Sequence, residues 1–279
     1  MSGILYLCAT PIGNLGDVSA RCLEILREAD LVAAEDTRRT MQLLNHFGIS
    51  KPLTSYHEHN KREKGEYIIG LLKEGKNIVQ VSDAGTPAIS DPGEDLVKLC
   101  IENDITVTSI PGPVAAINAL ILSGLSTARY AFEGFLSVNK RHRAEHLEMV
   151  KNDTHTLIFY EAPHKLKNTL ADMQKVFGGK RQIALARELT KLHEEIIRTN
   201  IDGAIAMYEE ISPRGEYVLV VEGATKNNEE MVNEWDNLSI CEHVEKYIAD
   251  GLTSKEAIKK VATERGMSKR DVYSEYHNI

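Results

Sequence analysis

The sequence predicts an α/β protein with mostly parallel sheets, and three observations support that fold class. Short apolar runs rich in Val, Ile and Leu alternate with longer amphipathic segments along most of the chain. Buried strands that alternate with helices are typical of parallel sheets covered on both faces. The length of 279 residues suggests about two domains, at roughly 100 to 200 residues each.

The apolar runs fall into two blocks. The strand-like runs are residues 4–9, 31–34, 52–56, 78–81 and 106–110 in the first block, and 156–160, 182–186 and 217–221 in the second. Between them, apolar residues recur at helical spacing, as in Cys22, Ile25, Leu26 and Ala29. A helical segment at 114–123 separates the blocks, which predicts one α/β domain at 1–113 and another at 114–225.

The chain ends in a predicted small helical unit at 237–279. Residues 224–236 are polar and acidic without periodicity, which is typical of a linker. Beyond them, Thr253 with Glu256 and Ser268 with Asp271 have the spacing of helix caps. Two short helices around Gly266 resemble a helix-turn-helix. Residues 251–270 carry six Lys or Arg against two Glu, which indicates either a nucleic-acid contact or a solvated face.

Composition excludes several classes of protein. The net charge of −8 argues against a general nucleic-acid coat, although a local basic patch remains compatible with it. No apolar run approaches the roughly 18 to 20 residues that a membrane span needs. The N-terminus lacks the basic segment with which a cleaved signal peptide begins, so such a signal is not expected. Four cysteines without a CxxC pair predict neither a zinc site nor a disulfide framework, so a cytoplasmic location is expected.

Three loops rich in Gly, Pro and small residues follow predicted strands. They are residues 10–15, 81–93 and 111–116. Ligands of open parallel sheets bind beyond the carboxyl ends of the strands, where small residues give access to the backbone. The chain has no Gly-x-Gly and no GxxxxGK[ST], which disfavours a dinucleotide fold and a P-loop NTPase. The pattern therefore predicts a ligand held largely by backbone groups.

A set of motifs identifies the family that the chain resembles. It is similar to the bacterial 16S ribosomal RNA cytidine 2′-O-methyltransferases, in the tetrapyrrole-methylase-like class of S-adenosylmethionine enzymes. The resemblance covers about residues 4 to 223. The motifs are TPIGNLGD (10–17), AEDTRRT (34–40), HEHN (57–60), VSDAGTPAISDPG (81–93), PGPVAA (111–116), EGF (133–135), FYEAPH (159–164), ARELTK (186–191) and RGEYVLVVEG (214–223).

This resemblance implies two α/β domains with S-adenosylmethionine in the cleft between them, and a homodimer. By motif position, the cofactor contacts are Pro11, Asp83, Ala84, Gly85, Ile89, Asp91, Pro111, Val114, Ala115, Tyr160, Arg187 and Glu188. A cationic sulfonium and an ammonium favour nearby carboxylates, which suits Asp83 and Asp91. Asp is also a common turn-former that bonds its own backbone, so a purely structural role for Asp91 stays open.

The candidates for aligning the ribose and removing its proton are Glu35, Asp36, Arg38, His57, His59 and Asn60. A neutral His can accept a proton, a carboxylate can orient it, and Arg38 can hold a phosphate. The sequence does not identify which of them is the general base. An alternative for the two His is that they are ordinary polar side chains on the protein surface. His57 and His59 would lie on one face of a strand, but no third ligand is apparent and no metal is expected.

The expected partner is 16S rRNA in the small ribosomal subunit, with no membrane. The basic residues predicted to contact it are Arg39, Lys140, Arg141, Arg143, Lys259 and Lys260. An unpaired base could stack on Tyr56, Phe132, Phe135 or Tyr160, although such aromatics more often lie in a core. Alternative functions are a tetrapyrrole or diphthine-type methyltransferase, or a non-catalytic ribosome-assembly factor that binds RNA.

Overall fold

The computed structural model describes residues 2–225 and 238–277. The chain divides into two compact units, Met1–Ala224 and Thr225–Ile279. The predicted linker at 224–236 lies almost wholly outside the described residues. The predicted boundary between residues 113 and 114 falls inside the first unit and stays a prediction.

The first half of the large unit is a five-stranded sheet with helices on both faces. Its strands are β1 (Ile4–Cys8), β2 (Leu31–Ala34), β3 (Leu53–Ser55), β4 (Ile78–Val81) and β5 (Thr106–Ile110), and its helices are α1 (Ala20–Glu28), α2 (Thr37–His46), α3 (Lys61–Lys73) and α4 (Gly93–Glu102). The strand order is β3-β2-β4-β1-β5 and every pair is parallel. The α/β class is thereby confirmed.

Burial on both faces explains why the central strands β2 and β4 are almost wholly apolar. Every residue of β2 and β4 is buried. Successive residues of β4 point to opposite faces, so that Ile78 packs with Leu5 and Leu96 while Val79 packs with Val32 and Leu26. The carboxyl ends of β1, β2 and β4 consequently meet at one edge of a rigid sheet.

The second half is a mixed sheet. Its elements are α5 (Ala115–Ser123), β6 (Tyr130–Phe135), α6 (Lys140–Val150), β7 (Thr156–Glu161), α7 (Pro163–Phe177), β8 (Gln182–Arg187), β9 (Glu195–Asn200), α8 (Ile201–Glu210) and β10 (Tyr217–Val221). The strand order is β6-β7-β10-β8-β9. Residues Ala116, Ala119 and Leu120 of α5 pack with the apolar residues of this sheet.

The expectation of mostly parallel pairing is wrong for this second sheet. Only β6 and β7 are parallel, whereas β10 is antiparallel to both β7 and β8, and β9 is antiparallel to β8. The short connection from β8 to β9 holds no helix, and neighbouring strands joined without a crossover run antiparallel. The two strands that the sequence did not predict, β6 and β9, are the edge strands. Their partial exposure weakens the apolar signal.

The second unit contains three described helices, α9 (Ile240–Ala249), α10 (Ser254–Glu264) and α11 (Lys269–His277). They enclose a core of their own that includes Val244, Val261 and Val272. Thr253 and Glu256 form the expected capping box, and Ser268 accepts a hydrogen bond from the Asp271 N–H at 3.1 Å. None of the helices in the described residues is long and apolar enough to cross a membrane.

Candidate active site

Two backbone hydrogen bonds join the loops that follow β1 and β4. Thr10 N–H donates to the Gly85 carbonyl at 2.9 Å, and Gly85 N–H donates to the Thr10 carbonyl at 3.0 Å. The Ser82 hydroxyl donates to the same Gly85 carbonyl at 3.1 Å. Gly85 has a φ of +84°, and a side chain there would lie 3.2 Å from Ile12 Cγ2 and 3.4 Å from the Pro113 carbonyl oxygen. Glycine suits this position because other residues rarely adopt such a φ and because a side chain would crowd Ile12.

The loop between β4 and α4 is strained as well as long. Ala88 and Ser90 both adopt left-handed backbone conformations, with φ of +67° and +64°. Residues that are not glycine take such conformations at an energetic cost, and the surrounding structure must hold them there. Asp91 supplies part of that restraint, because its Oδ1 accepts the Ala88 N–H at 3.0 Å and the Gly93 N–H at 2.7 Å.

The other oxygen of Asp91 differs from the first in its hydrogen bonding. Oδ2 is buried and has no hydrogen-bond partner among the described residues. Burial raises the pKa of this carboxyl, against the lowering effect of the N–H donors on Oδ1. The structure thus gives Asp91 the turn-forming role through one oxygen, and the second has no partner in the part of the chain that the structure describes.

A cavity of about 590 Å³ lies between the two halves of the large unit. Its volume falls within the roughly 300 to 1,000 Å³ typical of small-molecule sites. From the first half, the lining residues are Ile12, Glu35, Arg39, Ser82, Asp83, Ala84, Gly85, Thr86, Ile89, Ser90 and Asp91. From the second, they are Val114, Ala115, Phe135, Tyr160, Glu161, Ala162, Pro163, His164, Ala186, Leu189, Lys191, Glu216, Tyr217 and Val218.

Aromatic and acidic residues of the second half form the opposite wall. The Tyr160 hydroxyl accepts the Ala116 N–H at 3.2 Å, and its ring contacts Phe132 and Phe135 at centroid distances of 4.9 and 5.3 Å. Glu161 is only 4% exposed. Its carboxylate accepts the Ala162 N–H at 2.8 Å and the Thr169 hydroxyl at 2.5 Å. These bonds fix the wall before any ligand arrives.

Two ion-paired cations lie at one end of the cavity. Arg39 of α2 pairs with Asp83 at 3.2 Å. Lys191 pairs with Glu216 at 2.9 Å and with Glu188 at 3.0 Å. Glu188 is held at a φ of +50°, so this loop too is strained. The positive charges therefore come from both halves and meet a largely acidic cavity.

Glu35 is the one predicted catalytic residue that lines the cavity. It follows β2 directly, and the pKa of its carboxyl is raised, first by desolvation and then by the negative charges of Asp83 and Asp91. A carboxylate with a raised pKa is a stronger base, which suits it to accept a proton.

The other predicted catalytic residues do not line this cavity. Asp36 caps α2 by accepting the Arg38 N–H at 2.8 Å and pairs with the Arg38 guanidinium at 2.8 Å, which lowers the pKa of Asp36 to about 2. His57, His59 and Asn60 lie in the turn between β3 and α3, not along a strand as the sequence suggested. Asn60 shapes that turn by accepting the His57 N–H at 2.8 Å and donating to Ser55.

Most of the predicted cofactor contacts line the cavity, and four do not. Those present are Asp83, Ala84, Gly85, Ile89, Asp91, Val114, Ala115 and Tyr160. Pro11 lines an adjacent cavity, and Pro111, Arg187 and Glu188 line neither. Arg187 instead donates to the Arg214 carbonyl and pairs with Glu195. Glu188 pairs with Lys191 and accepts the Glu216 N–H, so it holds two residues that line the cavity without lining it itself.

The predicted RNA contacts are dispersed. Arg39 lies at the cavity, and Lys140 and Arg141 begin α6, where Arg141 pairs with Glu145. Arg143 is largely buried in a 2.8 Å ion pair with Asp172, so the structure corrects its predicted phosphate contact to a packing role between α6 and α7. Lys259 and Lys260 lie on α10, where the Lys260 ammonium is 4.1 Å from the Tyr247 ring centre.

Of the aromatic residues predicted to stack on a base, one is buried and another is partly buried. Tyr56 is 1% exposed and belongs to the core of the first half, which corrects its assignment as a stacking residue. Phe132 is partly buried against the second sheet. Phe135, by contrast, is 58% exposed and lines the cavity.

Sequence reasoning missed much of the second half's wall. Glu161, His164, Lys191 and Glu216 all line the cavity, although none of them was named individually as a site residue. Each belongs to one of the motifs that carried the family resemblance, which was the one available signal. Their convergence depends on β10 inserting between β7 and β8, and local periodicity does not encode that order.

Comparison with known proteins gives a consistent family. Residues 5–205 match the family described as Tetrapyrrole (Corrin/Porphyrin) Methylases. The chain is 52% identical over 275 residues to the ribosomal RNA small subunit methyltransferase I of Halalkalibacterium halodurans, covering 99% of this chain and 95% of that protein. The protein of the same name from Bacillus subtilis is 50% identical over 278 residues, covering 99% and 94%.

Solved structures share the fold. A crystal structure of uroporphyrin-III-C-methyltransferase from Thermus thermophilus superimposes with a TM-score of 0.55 at 18% identity. The match covers 79% of this chain and 92% of that one. At this identity the likeness concerns the fold alone.

We expect the Asp83→Asn substitution to lower the pKa of Glu35. Asparagine retains an oxygen that can accept the Asp36 N–H, which now donates to Asp83 at 2.9 Å, but it removes a negative charge that raises the Glu35 pKa. Carboxyl ¹³C NMR titration measures this directly. The control is Asp104→Asn, at an exposed turn position, which should leave Glu35 unchanged. An unaltered Glu35 titration in the Asp83 variant would contradict the assignment.

Proposed function

The chain belongs to the tetrapyrrole (corrin/porphyrin) methylase family, and from this premise we propose that it methylates the ribose 2′-oxygen of a cytidine in the decoding region of 16S rRNA, using S-adenosylmethionine. The observation that carries the proposal is similarity along the whole chain, at 52% and 50% identity, to two proteins named ribosomal RNA small subunit methyltransferase I. The proposal includes a homodimer that acts in the cytoplasm on the small ribosomal subunit.

The cavity fits the proposed cofactor. Gly85 and the small residues around it bring backbone groups to the surface, and the unpartnered Oδ2 of Asp91 provides a buried acceptor for a cationic group. Asp83, Ala84 and Ile89 would hold the methionine end, while Val114, Ala115 and Tyr160 would hold the adenosine end. The bound cofactor supplies an activated methyl group on a sulfonium sulfur.

The residues of this chain would position the ribose and take its proton. Glu35 lies in the cavity with a raised pKa, so its carboxylate can accept the 2′-hydroxyl proton as the oxygen attacks. Arg39 and Lys191 place cationic side chains at the same end of the cavity, each paired with carboxylates, and an RNA phosphate would contact them there. The rigid loops around Gly85 keep these groups aligned, which is the larger part of what a methyltransferase must contribute.

Both alternative functions have less support. A tetrapyrrole or diphthine-type activity rests on the family description and on solved structures, among them one of diphthine synthase, that share the fold at 18% identity or less, and fold alone does not carry function. A non-catalytic assembly factor has no use for a buried carboxylate oxygen without a partner, which costs stability, or for a cavity-facing carboxylate with a raised pKa.

The proposal is tested by mass spectrometry of 16S rRNA fragments. Small subunits from a strain lacking the protein should lack one cytidine ribose methyl group. Purified protein with isotopically labelled S-adenosylmethionine should restore that group on the same nucleotide. Restoration on a base rather than on a ribose, or no transfer at all, would contradict the proposed reaction.

We expect Asp91→Asn to weaken cofactor binding at least tenfold without loss of fold. Asparagine keeps Oδ1 as acceptor for Ala88 and Gly93 but removes the negative charge. Asp91→Ala should instead also destabilise the protein by about 1–3 kcal/mol, because two N–H groups lose their acceptor. Calorimetry and urea unfolding separate the two effects. If the Asn variant binds the cofactor like the natural protein, Asp91 only shapes the turn.

We expect Glu35→Gln to lower kcat about 100-fold or more, the usual contribution of a general base, with cofactor affinity changed less than about threefold. The natural enzyme should gain activity as pH rises through the raised pKa of Glu35, because the ionised carboxylate accepts the proton. The variant should lose that rise. His59→Gln, outside the cavity, is the control. Comparable losses in both variants would argue against Glu35 as the base.

A further inference from the structure

A second cavity, of about 570 Å³, adjoins the first. The two share Arg39, Asp83, Lys191 and Glu216, so the two ion pairs described above lie at the junction. Beyond the junction, the second cavity runs between the loop after β1 and one side of α2. Pro11, Asp83 and Ala84, which are proposed cofactor contacts, also line this cavity. Asp91, Tyr160 and Ala115, at the rest of the proposed cofactor site, do not.

The far walls of this second cavity combine apolar and hydrogen-bonding groups. Leu15, from the loop after β1, and Leu43, from α2, are apolar, and Leu15 is 42% exposed. Gln42 and His46 supply polar side chains from the same helix. Neither polar side chain hydrogen bonds to another described residue. A flat ring with polar edges would find contacts for its faces and its edges here.

This combination is what a nucleobase removed from its stack requires. Enzymes that act on single nucleotides hold the base between apolar side chains and bond its polar edge. Cytosine carries an amino donor beside an acceptor nitrogen, and a glutamine amide offers an acceptor and donors in matching positions. The cavity volume again lies within the roughly 300 to 1,000 Å³ of small-molecule sites, so it suffices for one nucleotide.

We propose that this second cavity receives the target nucleotide, with its base between Leu15 and Leu43 and against Gln42, and its ribose at the junction. The inference rests on the proposed function and deepens it. A transfer reaction needs its two reactants in separate sites that meet at one point, and the two cavities meet at Arg39 and Asp83. Arg39 is 67% exposed in its side chain, which leaves it accessible to the adjoining phosphate.

The test is a substitution on α2 that fills part of the second cavity with a bulky side chain. Gln42→Trp places a bulky ring in the space proposed for the base, while Asn45→Trp adds the same ring to the same helix at a position that lines neither cavity. Both sites are exposed, so both variants should fold, and circular dichroism with thermal unfolding checks this. Small subunits from a strain lacking the protein serve as substrate.

We expect Gln42→Trp to raise KM for small subunits at least tenfold, with S-adenosylmethionine affinity by calorimetry changed less than twofold. Asn45→Trp should change neither. An unaltered KM in the Gln42 variant, or an equal loss of cofactor affinity, would overturn the assignment.

Failure of the proposed function is visible separately, as absence of methyl transfer by the natural protein. In that case, filter binding of small subunits still compares the two Trp variants. Weaker binding by Gln42→Trp alone supports the cavity as an RNA site, and equal binding by both variants overturns it.

Discussion

The pair of backbone hydrogen bonds between Thr10 and Gly85 sets the geometry on which the rest of the site depends. They join the loops after β1 and β4, which are neighbouring strands at the centre of the first sheet. The bridge exists because Gly85 takes a left-handed backbone conformation and carries no side chain to meet Ile12 or the Pro113 carbonyl. From Gly85 the chain runs through the strained Ala88 and Ser90 to Asp91. The backbone conformation of this segment sets the direction of the Asp91 carboxylate.

Three carboxylates near this bridge lie close together, which destabilises the folded protein in the absence of a ligand. Desolvation first, and then the negative charges of Asp83 and Asp91, raise the pKa of Glu35, while the charge of Arg39 offsets part of that rise. A protein selected for stability alone would not gather three carboxylates or leave Asp91 Oδ2 without a partner among the residues described in the structure. The arrangement becomes favourable when a cationic ligand joins it. Electrostatic cost in the free protein thus becomes binding energy for the proposed cofactor.

The second half closes the site through contacts that cross the large unit. The backbone of Gly13 approaches Lys191 and Thr190 so closely that a side chain would lie 2.5 Å from Lys191 Cγ and 2.7 Å from Thr190 Oγ1. This approach places Lys191 where the two cavities meet. The strained backbone at Glu188 and Thr190 gives the loop its shape, and Glu188 then holds both Lys191 and the Glu216 N–H. Residues such as Glu188, which do not line the cavity but hold the residues that do, are therefore as important here as the lining residues.

The sequence by itself determined the strands of the first sheet, the long Gly- and Pro-rich loop at 81–93, and the helix caps at Thr253 and Ser268. Each of these depends on residues close together in the chain, where periodicity and turn chemistry act directly. The tertiary structure alone decided that Glu35 rather than His57 or Asn60 faces the cavity, because its environment comes from Asp83 and Asp91, about fifty residues away. It also decided the antiparallel pairing of the second sheet and the burial of Arg143 against Asp172. These outcomes follow from long-range packing, which no local pattern records.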